Sequence, residues 1–195
     1  MTHMIFLFGL AAFLLLTWSW LRCLNKRLQC RRKLVRLCRE KQLRLHTRSK
    51  LWFLGSRRGK RCDFWVETPG KLYGVKLFGC LKRGKILLLR EDGQYFFRGF
   101  ASLLLVIVNA FDGILRMAPA YDFVTGAPEG ARQKELCKVL LVNPAPMEIT
   151  YQPSSGPEQI TGTGDHWQGM ELASLSHLLR VLENAADATA SEAAL

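Results

Sequence analysis

The chain has 195 residues and a mass of 22.2 kDa, room for one ordinary domain plus an appendage and not for two large domains. Hydrophobic residues make up 49% and charged residues 23%, which excludes a wholly disordered polymer, because that much apolar surface offsets chain entropy. The formal charge of +12 argues for nucleic acid or an anionic membrane as partner only if it is spread evenly, and it is concentrated in one stretch.

Residues 4–21, MIFLFGLAAFLLLTWSWL, carry no ionisable side chain. As a helix they extend about 27 Å, close to the hydrocarbon thickness of a bilayer. Trp18 and Trp20 fall at the C-terminal end, where indole rings prefer the headgroup level. No positive segment precedes the apolar run and no small-x-small site follows it, so residues 1–21 are expected as an uncleaved anchor and not as a signal peptide. Between Arg22 and Arg61 there are sixteen Lys or Arg and one acid, Glu40. That asymmetry places this end in the cytoplasm and the N-terminus outside, as in a single-pass protein of a bacterial-type inner membrane.

Residues 22–61 are expected as a basic juxtamembrane helix and linker. Leu24, Leu28, Val35 and Cys38 recur at helical spacing, neither Pro nor Gly occurs between Arg22 and Leu54, and Gly55 to Gly59 reads as the stop. Arg31, Arg32, Lys33, Arg36 and Arg39 are the candidate contacts for anionic headgroups. A nucleic-acid reading treats the same strip as a phosphate track. The remainder, 62–195, holds twelve basic and fifteen acidic residues, so it contributes nothing to the net positive charge. Six cysteines, at 23, 30, 38, 62, 80 and 137, form no CxxC pair and are expected as thiols in a reducing compartment. Cys23 is also a candidate for acylation, and convergence of Cys62, Cys80 and Cys137 on a metal is the weaker alternative to packing.

An α+β domain is expected over 62–184, with a flexible tail at 185–195. CDFWVE, LYGVKLFG, KILLLR and QYFFRGF read as four strands of an antiparallel meander, with turns at Thr68 to Lys71 and Glu91 to Gly93. ASLLLVIVNAF, 101–111, is too short to span a bilayer and reads as a buried strand or helix. Residues 118–135 read as a long surface connection, KVLLV and MEITYQ as later strands, and Ser174 or Ser176 as the cap of a final amphipathic helix through Asn184.

With Pro69 and Gly70 at the centre of the first turn, Glu67 faces Leu72, Trp65 faces Gly74 and Asp63 faces Lys76. In DFWVETPGKLYGVK the segment resembles the hairpin of the restriction-endonuclease-like superfamily, and within it the nuclease-related domains of membrane-anchored proteins. The resemblance extends loosely to KVLLV and to the terminal helix, about half the chain. It implies that Asp63 matches the family's Asp and Lys76 its Lys, as catalytic residues of a phosphodiesterase working with Mg²⁺. The acid of the family's acid-x-Lys triplet falls at Gly74 and is missing. Asp63 alone supplies too few oxygens for a hard cation. Glu67 is the nearest third member, about 13 Å along the strand, and Asp92, Asp112 or Asp165 would have to come from elsewhere. The sequence therefore favours a domain without a cofactor, acting by binding, over a membrane-tethered nuclease, and names no protein partner. His46, His166 and His177 have no nucleophile at motif spacing. Gly162-Thr163-Gly164-Asp165 lacks the context of a phosphate loop and reads as a turn, and Trp167 as packing.

Overall fold

The computed structural model describes residues 2–52, 60–78, 86–98, 116–131, 133–143 and 145–192. Among these residues the architecture is α+β, with two mixed sheets and two α-helices. Helix α1, Thr2–Glu40, runs without interruption from the uncharged segment into the basic strip. Its inward side chains from Leu24 onward recur at helical spacing and pack into a core, with Cys30, Leu34 and Cys38 buried. The expected separate stalk is thus part of the domain. The helix also stops earlier than expected. Gln42 takes a left-handed φ of 55°, and the Leu43 N–H donates to the Cys38 carbonyl at 2.8 Å, so a Schellman-type cap ends the helix without glycine. The Lys41 ammonium meets Asp187 at 2.6 Å. The chain then turns back as strand β1, Arg44–Thr47, where the sequence pattern had suggested continued helix.

The first sheet has the order β1-β2-β3-β7-β11-β10. Strands β2, Phe64–Glu67, and β3, Lys71–Leu77, form the expected hairpin in the expected register, with Trp65 opposite Gly74 and Glu67 opposite Leu72. Thr68 closes the turn through its N–H to the Lys71 carbonyl, and Gly70 is not among the glycines at positive φ, so the turn does without the left-handed residue the Pro-Gly pair suggested. The second sheet has the order β6-β5-β4-β8-β9. It contains β4, Ile86–Arg90; β5, Gln94–Arg98; β6, Arg116–Met117; β8, Glu148–Gln152; and β9, Gln159–Thr161.

The expected four-strand meander is therefore divided between two sheets. β3 takes as its other neighbour not β4 but the parallel β7, Glu135–Leu141, and β4 takes the parallel β8. In the second half of β7, Val139, Leu140 and Leu141 are buried towards alternate faces, as suits a central strand covered on both sides, whereas Lys138 is exposed. β7 in turn pairs in parallel with β11, Met170–Ala173, and β10, His166–Trp167, completes the edge.

The first sheet has a different partner on each face. Phe64, Val66, Tyr73, Val75, Leu77, Val139 and Leu141 face α1 and helix α2, Leu175–Glu192. Trp65, Leu72, Phe78, Leu140 and Leu172 face the second sheet, meeting Leu87, Leu89, Tyr95 and Phe97. The β10–β11 hairpin ties the sheets together: the Trp167 indole donates to the Arg90 carbonyl at 2.8 Å and the Gln168 side chain to the Glu91 carbonyl. Ser174 caps α2 by accepting the His177 N–H at 3.3 Å, and α2 continues through the segment expected to fray.

The connection expected to lie on the surface at 118–135 instead buries Phe123, Ala127 and Ala131 in the inter-sheet core. Its Pro, Gly and Ala content marks the turns but hides the few residues that plug the sheet. The segment 101–111, the Gly55 to Gly59 linker, Cys80 and Asp112 lie outside the described residues.

Candidate functional site

The hairpin brings Asp63 and Lys76 together as the sequence predicts. The Lys76 Nζ lies 3.0 Å from Asp63 Oδ2, donates to the Arg61 carbonyl at 2.9 Å, and sits 5.8 Å from the centre of the Tyr121 ring. Asp63 Oδ2 also accepts the Leu77 N–H at 2.8 Å. The side chain of Lys76 is 1% exposed. Burial raises the Asp63 carboxyl above the usual 3.8, opposed chiefly by the Lys76 charge and the Leu77 N–H. Beside the pair, the one S–H of Cys62 is shared between the carbonyls of Phe64 and Val75, at 3.0 and 3.1 Å, and burial pushes the thiol up to about 12. Such a thiol is not a nucleophile at neutral pH.

A nuclease metal site requires a second carboxylate at position 74. A Cβ built on Gly74 lies 3.0 Å from Phe123 Cδ1 and 3.4 Å from Leu136 Cδ1. Phe123 is itself anchored, its carbonyl accepting the Trp65 indole N–H at 3.0 Å. The space where the family's acid would stand is thus filled by a ring of the protein's own core. Asp63 spends one oxygen on an ammonium and a backbone N–H, and among the described residues no second carboxylate joins it. Mg²⁺ does not fit these residues. Gly74→Ala is expected to destabilise the fold by about 1–3 kcal/mol through overpacking, and a urea denaturation midpoint indistinguishable from the parent would disprove this contact.

Glu67, the possible third member, belongs to another cluster. Its carboxylate lies 3.0 Å from His46 Nε2 on β1 and 3.0 Å from Lys134 Nζ, which also donates to the Thr68 carbonyl. Those partners, His46 first, hold its carboxyl below the usual 4.5. Of the other proposed acids, the two that are described, Asp92 and Asp165, are equally committed. Asp92 accepts the Gln94 N–H, and Asp165 accepts the Gly162 N–H and the Thr161 hydroxyl, which makes Gly162 to Asp165 the expected turn. Among the described residues no group of three or more His, Cys, Asp or Glu is placed to hold a metal ion. Cys62 and Cys137 belong to opposite sides of the first sheet and do not converge. Cys30, Cys38, Cys62 and Cys137 are thiols.

The basic candidates are brought together on a surface. Arg31, Arg32, Lys33, Arg36 and Arg39 are all exposed on α1, away from the face buried through Cys30, Leu34 and Cys38. Arg36 pairs with Glu40 at 2.7 Å, which raises the Arg36 guanidinium above its ordinary value. Sequence reasoning missed the two carboxylate–imidazole contacts, His46 with Glu67 and His177 Nε2 with Glu171 at 2.7 Å, because each joins elements distant in the chain or turned by a cap.

Among the described residues no helix is long and apolar enough to cross a membrane, and most side chains of residues 4–21, where the anchor is expected, lie outside that set. No family model, curated protein or solved structure matches the chain.

Proposed function

We propose that this is a single-pass membrane protein, N-terminus outside, whose cytoplasmic α+β domain is a nuclease-like module without catalysis. Its binding surface is the basic face of α1, which takes phosphate-bearing anions. The observation that carries the reading is the continuity of α1: one helix joins the uncharged run to residues locked in the domain core. Along the first part of that helix Leu10, Phe13, Trp18 and Leu21 are 45%, 62%, 57% and 51% exposed, a row of large apolar side chains that water does not favour and lipid does. Arg22 lies 5.0 Å over the Trp18 ring, an arrangement suited to the headgroup level. The closed surroundings of Asp63 and Lys76 support binding over phosphodiester cleavage.

Alkaline carbonate extraction of membranes from cells making the full chain tests the anchor. The chain is expected in the pellet, and protease added outside sealed cells is expected to leave the domain intact. Release of the full chain into the supernatant would refute the reading.

A further inference from the structure

The rigidity of α1 also measures distance from the membrane. On the reading of residues 4–21 as an anchor, Leu21 marks the edge of the hydrocarbon. Polar headgroups then occupy roughly the next 5–8 Å. Arg22 and Lys26 fall within that layer and Arg27 stands at its outer edge, at a rise of about 1.5 Å per residue. Arg36 and Arg39 stand about 22 and 27 Å beyond Leu21 on the same unbroken helix. A tilt of about 40°, the upper end for spanning helices, still leaves Arg39 about 20 Å from the hydrocarbon edge. Attraction to a charged surface fades within a Debye length, about 8 Å at physiological salt. On an untilted helix Arg32 stands about 16 Å beyond Leu21 and clears the headgroups by about one Debye length, Arg36 and Arg39 by more, so the bilayer that would attract the first basic turn is out of reach for the last one. The Schellman-type cap at Gln42 and the burial of Leu34 and Cys38 leave the helix no hinge to swing those charges back.

The distal charges also form a stripe of their own. Arg32, Arg36 and Arg39 recur at spacings of four and three, which places them on one line of the helix surface, and all three are exposed. All are arginines, whose planar forks match phosphate oxygens in a bidentate manner. The Arg36–Glu40 pair is exposed on both sides and therefore weakly held, ready to exchange for a stronger anion. Among the described residues no large exposed apolar side chain lies along the stripe beyond the half-exposed Val35, so the surface offers charge and forks without apolar anchors for peptide side chains.

The geometry points to a division of labour along α1: Arg22, Lys26 and Arg27 meet lipid headgroups, whereas Arg32, Arg36 and Arg39 hold the phosphate backbone of a nucleic acid presented from the cytoplasm. Contact is independent of base sequence and driven by release of counterions. Three phosphates neutralised correspond to a log–log salt slope of about −2 for a single strand and nearer −3 for a duplex. Affinity is then expected to fall about 15- to 60-fold between 50 and 200 mM salt.

The test uses the full chain in nanodiscs of neutral lipid and a fluorescein-labelled 20-nucleotide single strand followed by anisotropy. Binding with a slope near −2 is expected, unchanged in Arg22→Gln/Lys26→Gln/Arg27→Gln and lost in Arg32→Gln/Arg36→Gln/Arg39→Gln. Absence of binding at 50 mM salt would overturn the inference, as would equal loss in both variants or equal competition by polyglutamate, which would assign the stripe to an acidic protein. The anchor reading is checked separately by co-elution with the nanodisc. A chain that elutes alone refutes the anchor, and a chain that co-elutes without binding the strand refutes only the phosphate stripe.

Discussion

Lys76→Met is expected to lower stability by about 3–5 kcal/mol at pH 7, the cost of leaving a buried carboxylate without its counter-charge. The substitution keeps the length of the side chain and its apolar stem, so packing against the inter-sheet core is largely preserved. What it removes is the ammonium between Asp63 Oδ2 and the Arg61 carbonyl. Asp63 then keeps one hydrogen bond, from the Leu77 N–H. Asp63→Asn/Lys76→Met is expected to recover much of the loss, because a neutral amide in the same place does not demand a cation. Urea unfolding of the parent, the single and the double variant reads these differences directly.

The pH dependence follows from the direction of the Asp63 shift. Burial raises its carboxyl above 3.8, so the stability contributed by its protonated form is full below 3.8 and is lost as pH rises through the folded value. Lys76 limits that loss in the native chain by favouring the charged form. Without Lys76 the carboxyl rises further, and the deficit of Lys76→Met is expected to shrink on going from pH 7 to pH 4. A deficit constant across this range would show that the ion pair is not its source. The same variant separates two meanings of the motif: a lysine kept for catalysis is usually dispensable for folding, and one kept as a clamp is not.

The hairpin was legible because its register follows from the turn alone. Once Pro69 and Gly70 are central, every opposite pair is set, and Asp63 must meet Lys76. The division into two sheets was not legible, since the partners of β3 and β4 are parallel strands about 60 residues away, at Glu135–Leu141 and Glu148–Gln152. Local pattern carries no record of that pairing. The end of α1 escaped for a different reason. Its cap uses Gln42 in a left-handed conformation, whereas sequence reading looks for Gly or Pro. In the candidate site, the missing acid at Gly74 was visible, but the cause was not. Phe123, from a connection read as surface loop, occupies that space, so the glycine is a packing requirement as well as a lost ligand.

Leu34→Ala is the variant that decides whether the basic segment is an appendage or a structural member, with an expected loss of about 3 kcal/mol. Leu34 is fully buried among residues of both helices and the first sheet, with Cys30 and Cys38 one turn to either side. Burial pushes the thiols of those two cysteines up to about 12 and about 11, as expected of side chains enclosed by apolar neighbours. Truncation at Leu34 would leave a cavity that the helix cannot close without shifting its own cap and the Lys41–Asp187 contact to α2. An exposed residue on the same helix, Val35, provides the control: Val35→Ala is expected to change stability by less than about 0.5 kcal/mol. If α1 were a stalk outside the fold, the two substitutions would behave alike. Unequal effects, measured by urea unfolding of the detergent-solubilised full chain, tie the basic stripe to the core. On the proposed membrane reading that rigidity would hold Arg36 and Arg39 beyond the reach of lipid, so equal effects would remove the support for a separate phosphate-binding stripe.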